Sequence, residues 1–126
     1  MSTRVLLVED DRFLRRAAEA MLRRHGYDVR TAADGEEGLR LALSDPPDVV
    51  LLDLVMPRLP GLEVLVALRA DARTARVPVI VLTNLGEDAD IERARRAGAT
   101  AYFIKANTSL ASLVTRVQDV LASRAA

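Results

Sequence analysis

Five side chains that can take part in chemistry stand at the ends of short apolar runs in this sequence. In chain order they are Glu9, Asp10, Asp53, Thr83 and Lys105. Each run has the length and composition of a strand buried on both faces, which does not accommodate an unpaired charge. Asp53 alone could equally begin a turn. If the strands are parallel, however, their carboxyl ends share one edge of the sheet, where ligands bind in open α/β folds. The sequence therefore predicts one common site.

The residue types at this edge indicate phosphoryl chemistry. Three carboxylates cannot stay ionised side by side in a partly desolvated cleft without a cation. Oxygen ligands without His or Cys favour a hard ion, and a site with few protein ligands, completed by waters, is typical of Mg²⁺. Lys105 adds a fixed positive charge, and Thr83 can donate a hydrogen bond to a phosphoryl oxygen. Asp53 is then the natural covalent acceptor.

The elements that must position these residues alternate between strand and helix. The four apolar runs are residues 5–8, 49–52, 79–82 and 101–104, and an alternating segment, 27–32, indicates a further strand near the sheet edge. Amphipathic segments separate and follow these strands. Five strand–helix units in strict alternation predict an α/β fold, a doubly wound parallel sheet in a single domain spanning residues 1–126.

Helix ends and apolar faces can also be predicted. Asp11 is the expected N-cap of the first helix, and Gly26 and Gly98 are expected to end the first and fourth helices. The fourth helix is expected over about residues 87–97. The predicted apolar faces include Phe13 and Leu14 in the first helix and Leu62, Leu65, Val66 and Leu68 in the third.

Composition narrows the class of protein. Lys plus Arg and Asp plus Glu each total 18, so the net charge is zero and no global field favours nucleic acid or an anionic membrane. Cysteine is absent, which excludes disulfides and thiolate nucleophiles. No apolar run approaches the roughly 18 residues of a membrane span. We therefore expect a cytoplasmic domain that recognises its partners locally.

The sequence resembles the receiver domain of two-component response regulators over nearly its whole length. The resemblance implies a (βα)5 flavodoxin-like sheet with strand order 2-1-3-4-5. It rests on four motifs, each after its own strand. They are the acidic pair Glu9 and Asp10, the phosphoacceptor Asp53 followed by Met56 and Pro57, the hydroxyl of Thr83, and Lys105.

By this resemblance, Asp53 accepts a phosphoryl group from a phosphohistidine on a sensor histidine kinase or a histidine phosphotransfer protein. The domain is then no enzyme but a phosphoacceptor switch that assists its own phosphorylation and slow dephosphorylation. Mg²⁺ is implied as cofactor, with Asp10, Asp53 and the backbone carbonyl of Val55 as ligands. Glu9 is implied to act mainly through a metal-bound water.

The resemblance also implies how the signal leaves the site. Thr83 and Tyr102 form the switch pair: Thr83 moves toward the phosphoryl group and the Tyr102 ring turns inward. The surface of the fourth helix, fifth strand and fifth helix changes accordingly, and it can serve a downstream protein target or a homodimer. Direct binding of nucleic acid or membrane is not expected. No output domain follows the last helix, which leaves open a stand-alone regulator or a domain of a longer chain.

Several positions depart from the usual pattern of such receivers. Ala106 replaces the proline that commonly follows the lysine, so we expect a trans bond before it or a reshaped loop. Asn84 is larger than the usual Ala or Gly and is expected to narrow access to the phosphoryl group. Val55 and Leu85 flank that group, and neither can orient a water. We hypothesise that hydrolysis of the aspartyl phosphate is slow.

Three other readings of the sequence remain. A phosphatase acting through an aspartyl phosphate usually carries a second acid two residues after its nucleophile, where this sequence has Val55. A flavin or nucleotide module would need a Gly-rich loop after the first strand, where Glu9 and Asp10 would repel phosphate. A phosphorylation-independent interaction domain on the same fold is the main alternative, and Ala106 keeps it open.

Overall fold

Five strands and five helices alternate along the chain in a computed structural model that describes residues 2–84, 88–107 and 109–125. The strands are β1 (Arg4–Val8), β2 (Asp28–Ala32), β3 (Val49–Asp53), β4 (Val79–Thr83) and β5 (Ala101–Ile104). The α-helices are α1 (Arg12–Arg24), α2 (Gly35–Ser44), α3 (Gly61–Ala70), α4 (Asp88–Arg96) and α5 (Leu110–Ala125). None of the helices described is long and apolar enough to cross a membrane.

The strands form one parallel sheet in the order β2-β1-β3-β4-β5. This confirms the predicted fold class, the strand order and the edge position of β2. Val8 lies opposite Leu52, and Asp53 lies opposite Leu82. The ends of β1, β3 and β4 therefore reach the same edge of the sheet, as the prediction of a common site requires.

The core consists of two apolar layers, one on each face of the sheet. Alternate residues of the central strands point to opposite faces, so that Leu51 and Ile80 pack in one layer while Leu52 and Val81 pack in the other. Helices α1 and α5 cover the first layer, and α2, α3 and α4 cover the second. Every residue of β3 and β4 is buried, which makes the strand ends a rigid base for a site.

The boundaries of α1 agree with the sequence, but its apolar face is narrower than expected. The Asp11 side chain caps the helix by accepting from the N–H groups of Phe13 and Leu14, at 2.9 and 3.0 Å, and Gly26 follows the helix with φ 89°. Phe13, however, is 86% exposed. Leu14 and Ala18, four residues apart, lie on the side of the helix that faces the sheet. Phe13 directly precedes Leu14 and therefore lies about 100° from it around the helix.

The prediction for α3 needs a similar correction, because Val66 is exposed while its neighbours Val64 and Leu65 are buried. Val66 lies about 100° from Leu65 around the helix and therefore leaves the buried stripe. For α4 the structure gives Asp88–Arg96; the expected start at Glu87 lies outside the described residues. Gly98 follows α4 with φ 107°, which confirms it as the residue that ends the helix.

The connection between β3 and α3 has two conformationally restricted positions near the site. Gly61 packs so tightly behind Asp53 that a Cβ atom there would lie 2.1 Å from the Asp53 carbonyl oxygen. Its N–H donates to the Leu54 carbonyl at 3.0 Å, so that the chain turns back directly after β3. Between them, Arg58 has φ 72°, the left-handed region that a side chain with a Cβ atom disfavours.

Replacing Arg58 by Gly is expected to stabilise the fold. The left-handed backbone costs about 1–2 kcal/mol for an ordinary residue, whereas glycine adds an entropic cost of roughly 0.5–1 kcal/mol. The net gain in the free energy of unfolding should be about 0.5–1 kcal/mol, measured by urea denaturation. Arg58→Ala is the control, since it removes the same side chain without relieving the backbone. Equal stabilities of the two variants would contradict the explanation.

Candidate functional site

An open cleft of about 290 Å³ lies at the carboxyl edge of the sheet. It is bounded by the ends of β1 and β3, the loops that follow β3 and β4, and the residue after β5. The residues that line it are Glu9, Asp10, Asp11, Asp53, Val55, Asn84 and Lys105.

Three carboxylates converge in this cleft. Glu9, Asp10 and Asp53 each contribute an oxygen atom, and these three atoms lie within 4.8 Å of one another. Glu9 is fully buried and Asp53 is 4% exposed, whereas Asp10 faces solvent. The parallel pairing of β1 with β3 brings these groups together, because Asp53 ends β3 and Glu9 directly follows β1 at the same edge of the sheet.

Lys105 balances part of this negative charge. Its Nζ lies 2.6 Å from Glu9 Oε1 and 3.2 Å from Asp53 Oδ2, and its side chain is largely buried. No cis peptide bond occurs among the described residues, and Lys105–Asn107 form a short 3₁₀ helix. The bond before Ala106 is therefore trans, as expected, and Lys105 still reaches both carboxylates.

The pKa values of Asp53 and Lys105 are both shifted by their surroundings. Burial raises the pKa of Asp53, and a hydrogen bond and charge repulsion from Glu9 raise it further, to about 7, although Lys105 acts in the opposite direction. For Lys105, burial opposes the charge, but the two carboxylates outweigh it and raise the pKa. A single lysine thus leaves the acidic cluster short of positive charge.

The donor set fits a hard divalent cation. The three converging atoms are all carboxylate oxygens, and Asp10 opens toward solvent, where waters can complete a coordination shell. Glu9, Asp10 and Asp53 could therefore hold Mg²⁺. The backbone carbonyl of Val55 remains a predicted ligand; Val55 lines the cleft, and its N–H donates to Asp53 Oδ1 at 3.3 Å.

Backbone contacts that the sequence analysis did not find hold the acidic pair in place. The N–H of Asp11 donates to Glu9 Oε2 at 3.1 Å. Arg15, one turn into α1, donates from Nη1 to the carbonyl oxygens of Glu9 and Asp10, at 2.9 and 3.3 Å. The signal in the sequence was weak, because Arg15 is one of several arginines along this helix and the others are exposed.

Thr83 and the residues of the neighbouring loops differ in their access to the cleft. Thr83 is 2% exposed at the end of β4, whereas Asn84, the next residue, lines the cleft. Val55 is 66% exposed and also lines it, with an apolar side chain. Leu85, the second position predicted to flank a phosphoryl group, lies outside the described residues.

Tyr102, the other predicted switch residue, lies on β5 and packs against the apolar layer under α2, α3 and α4. Its hydroxyl oxygen is buried and has no hydrogen-bond partner within the described part of the chain. Burial raises the pKa of Tyr102, so the neutral phenol is favoured. An unpaired buried hydroxyl is costly.

Two curated relatives of the chain come from bacteria. The chain is 39% identical to Protein PilH of Pseudomonas aeruginosa over 102 residues, which cover 81% of this chain and 84% of PilH. It is 41% identical to the transcriptional regulatory protein AfsQ1 of Streptomyces coelicolor over 80% of its length. The matched region is only 44% of AfsQ1, so the chain spans less than half of that relative.

Solved structures share the fold over nearly the whole chain. The chemotaxis response regulator CheY4 of Vibrio cholerae is similar with a TM-score of 0.90 and 30% identity, covering 95% of this chain and 99% of CheY4. The receiver domain of the sensor histidine kinase PA1611 from Pseudomonas aeruginosa has a TM-score of 0.88 and 34% identity, covering 97% and 99%. That structure holds a magnesium ion coordinated in its active-site cleft.

The family model of the response regulator receiver domain matches residues 5–118, which include β1 except its first residue, the other four strands and the first half of α5. The match, the relatives and the sheet order agree with one another. The chain therefore belongs to the family of response regulator receiver domains.

Proposed function

We propose that this domain accepts a phosphoryl group on Asp53 and transmits a signal in a phosphorelay. The observation that carries the proposal is the position of Asp53: a carboxylate that is almost fully buried, beside Lys105 and within 4.8 Å of two further acids. A purely structural carboxylate would not be placed among like charges at a cost in stability. The donor is a phosphohistidine of a sensor histidine kinase or of a histidine phosphotransfer protein.

In the transfer step, a carboxylate oxygen of Asp53 forms a bond to phosphorus while the phosphorus–nitrogen bond of the donor breaks. The histidine nitrogen keeps the electron pair and takes up a proton. Lys105, 3.2 Å from Asp53 Oδ2, stabilises the negative charge of the phosphoryl oxygens, and Thr83 donates a hydrogen bond to one of them. Bound Mg²⁺ supplies further neutralisation of that charge.

The domain acts as a switch and not as a turnover enzyme. The buried Thr83 and the Tyr102 ring change position after phosphorylation, and the surface formed by α4, β5 and α5 changes with them. The target of that surface is a downstream protein or a second copy of the domain, and the location is the cytoplasm. A phosphorylation-independent role is less well supported, because Lys105 reaches Glu9 and Asp53 despite Ala106.

Incubation with Mg²⁺ and a small phosphodonor such as acetyl phosphate should add one phosphoryl group to the chain, detected by intact mass. Asp53→Asn should abolish the adduct, because an amide oxygen is too weak a nucleophile at this site. Asp71→Asn, which changes a partly exposed aspartate that pairs with Arg73 outside the cleft, is the control and should leave the adduct in place. Retention of the adduct in Asp53→Asn would overturn the proposal.

Mg²⁺ binding should depend on Asp10 but not on its neighbour Asp11. Asp10→Asn removes a charge from the acidic cluster and should weaken the affinity by at least about tenfold. Asp11→Asn should have a much smaller effect, because asparagine also caps a helix. Both affinities can be measured by calorimetry or by electron paramagnetic resonance of Mn²⁺. Equal losses in the two variants would argue against a site formed by Glu9, Asp10 and Asp53.

Once formed, the aspartyl phosphate should hydrolyse slowly. Val55 lines the cleft with an apolar side chain that cannot orient an attacking water. Val55→Asn should accelerate loss of the phosphate several-fold, followed by intact mass over time, whereas Val55→Leu should not. Leu85→Glu tests the second flanking position in the same assay. An unchanged rate in both polar variants would contradict the explanation.

A further inference from the structure

Arg69, in the last turn of α3, is a half-buried cation that binds backbone carbonyls. Its Nε and Nη2 both donate to the carbonyl oxygen of Gly98, at 3.0 and 2.9 Å. Its Nη1 donates to the carbonyl of Val77 at 2.7 Å and to those of Thr74 and Ala75 at 3.3 Å each. One side chain thus joins the α3–β4 connection to the turn that follows α4.

The turn is shaped to receive this side chain. Gly98 has φ 107°, and a Cβ atom there would lie 2.9 Å from Cγ and Nε of Arg69. The stem of Arg69 therefore lies directly against the backbone of Gly98. Any other residue at position 98 would both strain the turn and displace the arginine.

A second pair of bonds fixes the same end of α4 to the sheet. The N–H of Thr100 donates to the carbonyl of Val79 at 2.8 Å, and the N–H of Val79 donates back to Oγ1 of Thr100 at 3.0 Å. Val79 is the first residue of β4, whose last residue is Thr83. The carboxyl end of α4 is consequently held at two points, by α3 and by β4.

Within the described part of the chain, the rest of α4 has fewer buried contacts. Ala94 is the one buried residue described in this helix. Asp88 and Ala89, at the amino end, are exposed. That end lies five positions after Thr83 in the sequence. The two ends of α4 therefore differ in their attachment, and the loosely packed end is the one nearer in the chain to the candidate switch residue.

We propose that Arg69 is a positioning residue that makes the Gly98 turn the pivot of α4. A change at Thr83 then tilts the helix about its fixed carboxyl end and does not translate it as a whole. The switching part of this inference rests on the proposed phosphoacceptor function. The anchoring part rests on the hydrogen bonds of Arg69 and Gly98 alone.

A pivot makes a quantitative prediction. Ala89 and Arg96 are both exposed, lie seven residues apart on one side of α4, and are nine and two residues from Gly98. With a rise of 1.5 Å per residue, a tilt about Gly98 should move Ala89 about four times as far as Arg96. A translation of the whole helix would move the two positions equally.

Because the chain contains no cysteine, spin labels can be attached at introduced cysteines only. One label is placed on α2 at Arg40, which is exposed, and the other at Ala89 or at Arg96. Pulsed electron paramagnetic resonance measures the two distances with and without beryllofluoride and Mg²⁺, which mimic the phosphoryl group. The expected result is a shift at Ala89 about four times that at Arg96.

Arg69→Met should release the anchor: the distance distribution at Arg96 should broaden without the mimic, and its shift with the mimic should approach that at Ala89. Arg73→Met is the matched control, because Arg73 lies in the α3–β4 connection that Arg69 binds but bonds only with Asp71 among the described residues. If Arg69→Met fails to fold, Arg69→Lys tests the same point, since an ammonium group cannot reproduce the fork of hydrogen bonds.

Equal shifts at Ala89 and Arg96 in the parent, or a distribution at Arg96 as narrow in the Arg69 variants as in Arg73→Met, would overturn the inference. If beryllofluoride shifts neither distance, the proposed function fails and the pivot with it. The distributions without the mimic still decide whether Arg69 anchors α4.

Discussion

Repulsion among three carboxylates is the constraint on which this structure depends. Glu9, Asp10 and Asp53 approach one another because β1 and β3 are paired and parallel, and the burial of Glu9 and Asp53 makes their charges costly. Lys105 offsets part of that cost from the end of β5. The charge that remains uncompensated makes the cleft suited to a divalent cation.

The fold meets this constraint by combining rigid and adaptable parts. β3 and β4 are buried throughout, so the positions of Asp53 and Thr83 are set by close packing on both faces of the sheet. The loops that follow these strands supply the variable walls of the cleft, Val55 and Asn84. α4 combines a fixed and a less restrained end: its carboxyl end is anchored through Arg69, and its amino end is close in the chain to Thr83. In the proposed mechanism, this arrangement converts a local change at Thr83 into a tilt of α4.

The sequence could predict the sheet and the gathering of the site because both follow from short-range rules. A buried strand cannot contain a charge, so the charges stand at its ends, and parallel strands bring their ends together. Contacts between distant segments were not predictable in this way. Nothing around Arg69 indicates that Gly98 will be its partner, and Arg15 cannot be told from the other arginines of α1 until the helix is docked. From the sequence, Phe13 and Val66 were wrongly assigned to the buried faces of α1 and α3. In the sequence, an apolar residue next to a buried stripe cannot be distinguished from a member of that stripe.

The sequence by itself therefore determined the alternation of strands and helices, the acidic and basic residues at the strand ends, and the caps at Asp11, Gly26 and Gly98. These features depend on each residue and its near neighbours in the chain. Only the tertiary structure decided that Lys105 reaches both Glu9 and Asp53 without a proline behind it, that Arg58 takes a left-handed backbone, and that Arg69 holds the end of α4. Those outcomes depend on the distances between segments, which are set when the helices pack on the sheet.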